Sequence, residues 1–209
     1  YQEAKAEKAP TRTGEAGNWT LAGRAFGFTI LWTVSYYVML NYMPTFTQAH
    51  AGLSRSEALW SNTIGLLVLV VTVPLMGMIS DRIGRKPLLL ACCLAFVVLT
   101  YPLFLLLLSG GLGTVILVQI VFALMIAAFS GPGPAAISEI FPTASRSTYM
   151  STGYSLAVAV FGGFAPYIAT WLIATTGSPL SPTFYLIASA ILSTLVILRL
   201  RETAHSDLR

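Results

Sequence analysis

The sequence predicts an all-α membrane protein with six transmembrane helices. Hydrophobic residues make up 56% of the chain and charged residues only 10%, against roughly 25% charged residues in soluble domains. Residues 25–54, 58–80, 87–138 and 147–198 contain no Asp, Glu, Lys or Arg. Since a spanning helix needs about 20 apolar residues, the first two stretches hold one span each and the last two hold two each. A closed β-barrel is the other structure that satisfies all backbone hydrogen bonds in lipid. Long apolar runs without strict alternation of apolar and polar residues exclude it.

Turn-forming residues set the limits of the six spans. The predicted spans are residues 25–46, 55–79, 87–108, 113–137, 147–174 and 181–199. Pro44 marks the end of the first. The second begins with a capping box, in which Ser54 accepts from the backbone N–H of Glu57 and the Glu57 side chain reaches back. Residues 109–111, Ser-Gly-Gly, allow only a tight turn between the third and fourth spans. The last span begins at Ser181 and Pro182, a cap followed by proline.

Proline and glycine mark weak points inside three spans. Pro74 interrupts the second span, GPGP lies at residues 131–134 near the end of the fourth, and FGGFAP lies at residues 161–166 in the fifth. Such residues weaken the hydrogen bonding of a helix. In a membrane they are tolerated where neighbours or water satisfy the freed carbonyl groups. We therefore expect close neighbours at these points.

Basic residues predict the orientation. All Lys and Arg residues except Arg55 lie in four places: residues 1–24, the charged segment SDRIGRKP at residues 80–87, Arg146, and the C-terminal tail with its border residue Arg199. By the positive-inside rule these parts are cytoplasmic. The predicted organisation is a cytoplasmic loop at residues 1–24, a six-helix transmembrane domain at residues 25–199 and a cytoplasmic tail at residues 200–209. Because the chain starts without Met or a signal peptide, we expect it to be a fragment entered through a loop.

Several motifs resemble those of major facilitator transporters. GMISDRIGRKP at residues 77–87 matches the G-x-x-x-D-R-x-G-R-[KR] motif that follows the second and, more loosely, the eighth helix of that superfamily. SEIFPTASR at residues 138–146 resembles the E-x-F-P-x-x-x-R signature between its helices ten and eleven. Resemblance to the metabolite:proton symporter family lies in FGGFAPYIATWLI at 161–173, NYMPTF at 41–46 and RETA at 201–204. The chain thus resembles the C-terminal half of a twelve-helix major facilitator fold, with its spans as helices seven to twelve.

The resemblance implies a secondary active transporter in the plasma membrane, expected to be a bacterial inner membrane. It implies proton-coupled symport of a small organic acid of the citrate, tricarballylate or α-ketoglutarate type by alternating access. A proline or betaine type osmolyte:proton symporter is the alternative, and a six-helix homodimeric scaffold or channel is the alternative of another class. The implied partners are a small-molecule substrate, protons, membrane lipid and the missing N-terminal six-helix half. We expect no cofactor, no metal and no nucleic acid.

A cytoplasmic gate is predicted around the charged segment. Asp81 can face a helix N-terminus, Arg82 and Arg85 can meet Glu139, and the glycines let the backbones approach and turn. The predicted gate residues are Gly77, Asp81, Arg82, Gly84, Arg85, Lys86, Glu139 and Arg146. Charges in such a hairpin also serve as simple topology anchors, which is the alternative interpretation. For Arg146 the two interpretations carry equal weight.

A polar stripe on the first span predicts a substrate cavity. Thr29, Thr33, Tyr37 and Asn41 recur every four residues on an otherwise apolar helix, and would be costly against lipid. The stripe faces either a central cavity or neighbouring helices through hydrogen bonds. The candidate cavity residues are Thr33, Tyr36, Tyr37, Asn41, Gln119 and Tyr154.

No Asp, Glu, Lys, Arg or His residue lies in the middle of any of the six spans. An intramembrane enzyme would need a nucleophile with a base, or a metal site, so we expect no enzymatic activity. Groups that couple transport to protons are expected mainly in the missing half. Cys92 and Cys93 are expected to be small core residues, while His50 and His205 are expected in solvated loops without metal-ligand spacing.

Overall fold

The computed structural model describes the backbone of residues 12–139 and 146–200 and the side chains of residues 19–138 and 150–200. All regular elements in these ranges are helical. The α-helices are α1 (Arg12–Tyr37), α2 (Met43–His50), α3 (Arg55–Ile83), α4 (Arg85–Leu108), α5 (Leu112–Ser130), α6 (Gly133–Glu139), α7 (Arg146–Ala157), α8 (Ala165–Thr176) and α9 (Ser181–Leu198). The first π-turn, Val38–Tyr42, joins α1 to α2, and the second π-turn, Val158–Gly163, joins α7 to α8.

These elements form six rods that correspond to the predicted spans. The rods are α1 with the first π-turn and α2, then α3, then α4, then α5 with α6, then α7 with the second π-turn and α8, and finally α9. Within the described part of the chain, five helices are long and apolar enough to cross a membrane: Arg55–Ile83, Arg85–Leu108, Leu112–Ser138, Met150–Thr176 and Ser181–Leu198. The predicted all-α membrane fold is confirmed.

The first rod is outside that apolar set because it carries the polar stripe. Its apolar side chains are nevertheless the centre of the bundle, and Phe28, Leu31 and Val34 are fully buried. A helix enclosed by other helices tolerates polar residues that lipid would penalise. Burial in the bundle therefore compensates for the lower hydropathy of this rod.

The start of the first rod differs from the prediction. Residues 1–24 are predicted as a loop, yet the chain is already helical at Arg12 and stays helical through Arg24. Charged residues mark where apolar sequence ends, but they do not stop backbone hydrogen bonding along a helix. The predicted border at residue 25 thus marks where the charge-free sequence begins, whereas the helix itself begins earlier.

Pro44 also does not end the first rod, which continues as α2 to His50. In the first π-turn the N–H of Met43 donates to the carbonyl of Val38, a five-residue step. Such a wider turn relieves the clash between a proline ring and the carbonyl four residues earlier, here that of Leu40. Asn62 Nδ2 on α3 donates to this Leu40 oxygen at 3.1 Å, so a neighbour satisfies the carbonyl as expected.

The start of α3 confirms the predicted capping box. Ser54 Oγ accepts from the backbone N–H of Glu57 at 3.4 Å. The N–H of Ser54 donates to Glu57 Oε2 at 2.9 Å. By contrast, α3 runs without interruption through Pro74, and Ser181 is the first residue of α9 while Leu180 takes the N-cap position.

The six rods are interleaved. The first rod packs mainly on α7, the second π-turn and α9. Helix α3 packs mainly on α5, and α4 packs mainly on α9 and α5. With the rods numbered in chain order, rods 1, 2 and 3 correspond to rods 4, 5 and 6. Under this exchange the contact between rods 1 and 5 becomes that between rods 4 and 2, and the contact between rods 1 and 6 becomes that between rods 4 and 3. Both contacts of each pair are present. The fold is therefore two three-helix units that complete each other.

Candidate gate and substrate cavity

The charged segment forms a hairpin in which only Gly84 is not helical. Gly84 has φ 100° and ψ 153°, a region open essentially to glycine alone. Asp81 and Arg82 lie in the last turn of α3 with exposed side chains, while Arg85 and Lys86 open α4 and are half-buried. The structure therefore brings the four charged gate candidates together within two adjacent helix ends.

Gly77 lies where α3 meets the end of α5. A Cβ atom built on Gly131 would sit 2.6 Å from the backbone N of Gly77. Residues 131 and 132 form a turn that separates α5 from α6, at the predicted weak point of the fourth span. Two backbones thus touch next to the hairpin, and any side chain at Gly131 would separate them.

Lys86 holds the end of the last rod. Its Nζ donates to the carbonyl oxygens of Leu198 at 2.9 Å and Leu200 at 2.8 Å. The side chains of Glu139 and Arg146 lie outside the described residues, so their place in the gate stays a prediction. What the described residues show is that the hairpin is anchored to the C-terminal end of α9.

The polar stripe does not share one environment. Thr29 and Thr33 are buried, and Thr29 Oγ1 donates to its own helix at the carbonyl of Ala25, 2.8 Å away. Thr33 and Tyr37 contact the backbone of the fifth rod at Gly162, where an added Cβ would lie 2.8 Å from Tyr37 Cε2. Asn41 is exposed. The extra residue of the first π-turn rotates Asn41 relative to the four-residue spacing that the stripe assumes.

Aromatic candidates gather between the first and fifth rods. The rings of Trp32 and Tyr154 meet edge to face with centroids 5.9 Å apart, and Trp32 Nε1 donates to Ser130 Oγ at 3.0 Å. Tyr36 is half-buried and Tyr154 is exposed. Trp32 thereby links the first rod to the break in the fourth, while Tyr154 presents its ring at the surface of this chain.

Gln119 lies elsewhere, between α3 and α5. It is 4% exposed and lines a small cavity with Asn62. Asn62 is not among the residues predicted from the sequence, although an amide in an otherwise apolar span is a usable signal. The predicted cavity residues therefore divide into Thr33 and the tyrosines beside the fifth rod, the exposed Asn41 in the first π-turn, and the buried amide of Gln119 beside the second rod.

Cysteines and histidines form no site in the described chain. Cys92 and Cys93 are free and buried, and Cys92 Sγ donates to the carbonyl of Met125 at 3.0 Å. His50 ends α2 with its ring 5.0 Å from that of Phe46; His205 lies outside the described residues. Among the residues that are described, no group of three His, Cys, Asp or Glu side chains is placed to hold a metal ion.

A family profile described as Major Facilitator Superfamily matches residues 24–209. The chain belongs to this superfamily. The match begins within α1 and extends over the other five rods, and the helical architecture is that of half of a major facilitator fold. The superfamily consists of transporters and not enzymes, which agrees with the prediction from the uncharged spans.

Relatives within the superfamily transport two kinds of solute. A glycine betaine/proline/ectoine/pipecolic acid transporter of Dickeya dadantii is 28% identical over 88% of this chain and 36% of its own length. An ectoine/proline transporter of Corynebacterium glutamicum is 30% identical over 82% of this chain and 34% of its own. A citrate-proton symporter of Klebsiella pneumoniae is 31% identical over 83% and 39%. The chain spans less than half the length of these curated relatives.

Proposed function

We propose that this chain is the C-terminal half of a proton-coupled symporter for a small organic acid, working by alternating access. The observation that carries the proposal is the pair of π-turns that interrupt the first and fifth rods and pack on the opposite rod, the first against α8 and the second against α1. Interrupted helices near the bilayer midplane form the substrate sites of many secondary transporters, and π-turns recur at functional sites.

Hydrogen bonds from neighbouring helices support both interruptions. Tyr185 Oη on α9 donates to the carbonyl of Phe161 in the second π-turn at 3.0 Å, as Asn62 does for Leu40 in the first. Each π-turn is followed within three residues by a proline, Pro44 or Pro166. The backbone is thus irregular at two points without leaving those carbonyl groups unsatisfied.

Exposed apolar faces support a missing N-terminal half as the partner. Leu67 and Val70 on α3, and Tyr167 and Trp171 on α8, are large exposed side chains. These two rods carry the least buried spans of the described chain. Lipid and a second six-helix unit would share these faces, in a bacterial inner membrane with both ends of this segment in the cytoplasm.

The organic acid is supported by the resemblance to citrate carriers and by the identity to the citrate-proton symporter. Neutral hydroxyl, amide and aromatic groups are what this half offers, because no acidic, basic or His side chain lies in the middle of its described spans. Counter-charges for a carboxylate and the groups that take up protons would then belong to the other half.

A betaine or proline type osmolyte is the second candidate. It is favoured by the aromatic rings of Trp32, Tyr36 and Tyr154, because a quaternary ammonium binds to ring faces. Membership in the superfamily favours either transport reaction over a homodimeric scaffold or channel.

Uptake by the full-length protein in membrane vesicles tests the proposal. Labelled citrate, α-ketoglutarate, shikimate and betaine are offered with and without an inward proton gradient. We expect accumulation of citrate or α-ketoglutarate that stops when a protonophore removes the gradient. Accumulation of betaine alone would establish the second candidate, and uptake indifferent to the gradient for every solute would contradict proton coupling.

Reporter insertions test the orientation. A reporter after Arg209 and one in the hairpin at Gly84 are expected in the cytoplasm. Insertions near Gly52, Gly111 and Ser178, at the other ends of the rods, are expected outside. A reversed result at any two of these sites would contradict the proposed topology.

A further inference from the structure

Three rods line a small, partly open cavity beside the first π-turn. Its volume is about 10 Å³. The lining includes Met39 and Leu40 from the π-turn, Asn62 and Gly65 from α3, and Gln119 and Ala123 from α5. Gly65 provides the room for Gln119, since a Cβ at Gly65 would lie 3.3 Å from Gln119 Cβ and 3.6 Å from Oε1. Apart from the two amides, the lining side chains are apolar.

The two amides each direct a buried polar atom to this cavity. Asn62 is 8% exposed and Gln119 is 4% exposed. Asn62 Oδ1 and Gln119 Nε2 are both buried, and neither finds a hydrogen-bond partner among the residues that the structure describes. One atom accepts and the other donates, so a single small molecule can satisfy both.

The orientation of the Asn62 amide follows from its other contact. Its nitrogen lies 3.1 Å from the carbonyl oxygen of Leu40. A carbonyl can only accept, so the NH₂ group faces Leu40 and Oδ1 is left for the cavity. The ligand must therefore be a donor toward Asn62.

We propose that this cavity binds one water molecule, which donates to Asn62 Oδ1 and accepts from Gln119 Nε2. The volume is at the lower limit for one water, and two to four polar partners are what a buried water requires. A metal cation is disfavoured because the Gln119 NH₂ group is a donor that would point at it. Because the two amides are almost fully buried within the described chain, their unpaired atoms depend on this bound molecule.

The bound water completes a chain of hydrogen bonds from the carbonyl of Leu40 through Asn62 to Gln119. It connects the first π-turn to α3 and α5 together. The water is thus a structural ligand that sets the position of the π-turn relative to the fourth rod. This role holds whatever solute the carrier transports.

Magnetisation transfer from water to side-chain amides in solid-state NMR tests the proposal, using the full-length protein in lipid with ¹⁵N-labelled Asn and Gln. We expect transfer to the Gln119 side chain as well as to Gln48, which is exposed. Gly65→Ala fills space beside Gln119 and should abolish transfer to Gln119 while leaving Gln48 unchanged. Gly113→Ala on α5, with nothing within 4 Å of the added Cβ, is the matched control and should retain both signals. Absence of transfer to Gln119 in the wild-type protein would overturn the proposal.

A double-mutant cycle measured by Tm gives a second test. Gln119→Met and Asn62→Leu each leave one amide with a water that has lost a partner, so each should lower Tm. The double variant removes both cavity amides and leaves only the Leu40 carbonyl without its donor, a loss that Asn62→Leu alone already causes; replacing both partners across the cavity therefore costs less than the sum of the single changes. We therefore expect a loss in the double variant clearly below the sum. Additive losses would overturn the water bridge.

Discussion

Lys86 Nζ donates to the carbonyl oxygen of Leu198, which lies on a helix more than a hundred residues later, at 2.9 Å. The last carbonyls of a helix have no partner within it, and a cation at that end is favourable. Lys86 in the first turn of α4 thus provides a hydrogen-bond donor for an unpaired carbonyl at the end of α9. A residue predicted as part of a gate is, in the described structure, also a clamp between two rods.

Replacing Lys86 by Met keeps the aliphatic stem and removes the donor. We expect Lys86→Met to lower the free energy of unfolding of the full-length protein by about 1 kcal/mol, the size of a helix-end charge interaction. Amide hydrogen exchange at the end of α9 should become faster. Lys86→Arg keeps a cationic donor and should lose less. If amide hydrogen exchange at the end of α9 is as slow in the Lys86→Met variant as in the wild type, the Lys86 hydrogen bonds do not stabilise the end of α9.

The gate interpretation is tested by Asp81→Asn and Arg85→Ala in the full-length carrier. Because an exposed ion pair contributes at most about 1 kcal/mol, we expect transport to fall a few-fold while insertion and abundance stay near normal. A contact shifts a conformational equilibrium only when it stabilises the two states differently. Uptake rates and quantitative blots measure the two effects.

Arg55→Ala is the matched control, since Arg55 is exposed and lies at the opposite end of α3 from Asp81. It should leave the uptake rate unchanged. If the Asp81 and Arg85 variants lose protein and activity in equal proportion, the segment is a topology anchor and not a gate.

Gly162 is a point of close approach between the fifth rod and the first. An added Cβ would lie within contact of Thr33 Cγ2 and 2.8 Å from Tyr37 Cε2. Gly162→Ala should therefore destabilise the protein by about 1–3 kcal/mol, as overpacking does, seen as a lower Tm of the purified protein. Gly163→Ala in the same π-turn meets nothing within 4 Å and should have a much smaller effect. Equal losses of Tm for the two variants would mean that helix propensity, and not packing at Gly162, determines the loss of stability.

Thiol labelling tests which positions of the first rod line the solute path. In a background without Cys92 and Cys93, Asn41→Cys should react quickly with a water-soluble reagent and be protected by substrate. Thr33→Cys should react slowly because Thr33 is buried. Val38→Cys, also buried, is the control. Rapid labelling of Val38→Cys, or no protection at Asn41→Cys, would exclude the first rod from the path.

Local signals in the sequence predicted much of the fold. The six spans follow from charge-free stretches, and the capping box of Ser54 and Glu57 follows from residues three positions apart. The weak point at Gly131 and Pro132 follows from the backbone limits of those residues, although the turn that divides the span there was not predicted. Each of these features depends on a few neighbouring residues, which is why it can be inferred without the tertiary structure.

Features that depend on contacts between rods were not predictable. Pro44 indicates the end of a helix, and only the first π-turn together with Asn62 lets the helix continue past it. The same π-turn separates Asn41 from Thr33, which a constant spacing places on one face. The side chains of Glu139 and Arg146 are not described, so the rest of the gate stays a prediction.

Interleaving of the rods fixes the order in which this protein can assemble during synthesis. The main neighbours of the first three rods all belong to the last three. As the ribosome delivers the chain, α1, α3 and α4 are made before their main partners, and only their weaker contacts with one another are then available. A chain that stops before α9 leaves both α1 and α4 with an uncovered face. Insertion into the membrane therefore proceeds from the first helix onward, whereas the bundle closes only after the last helix has been made.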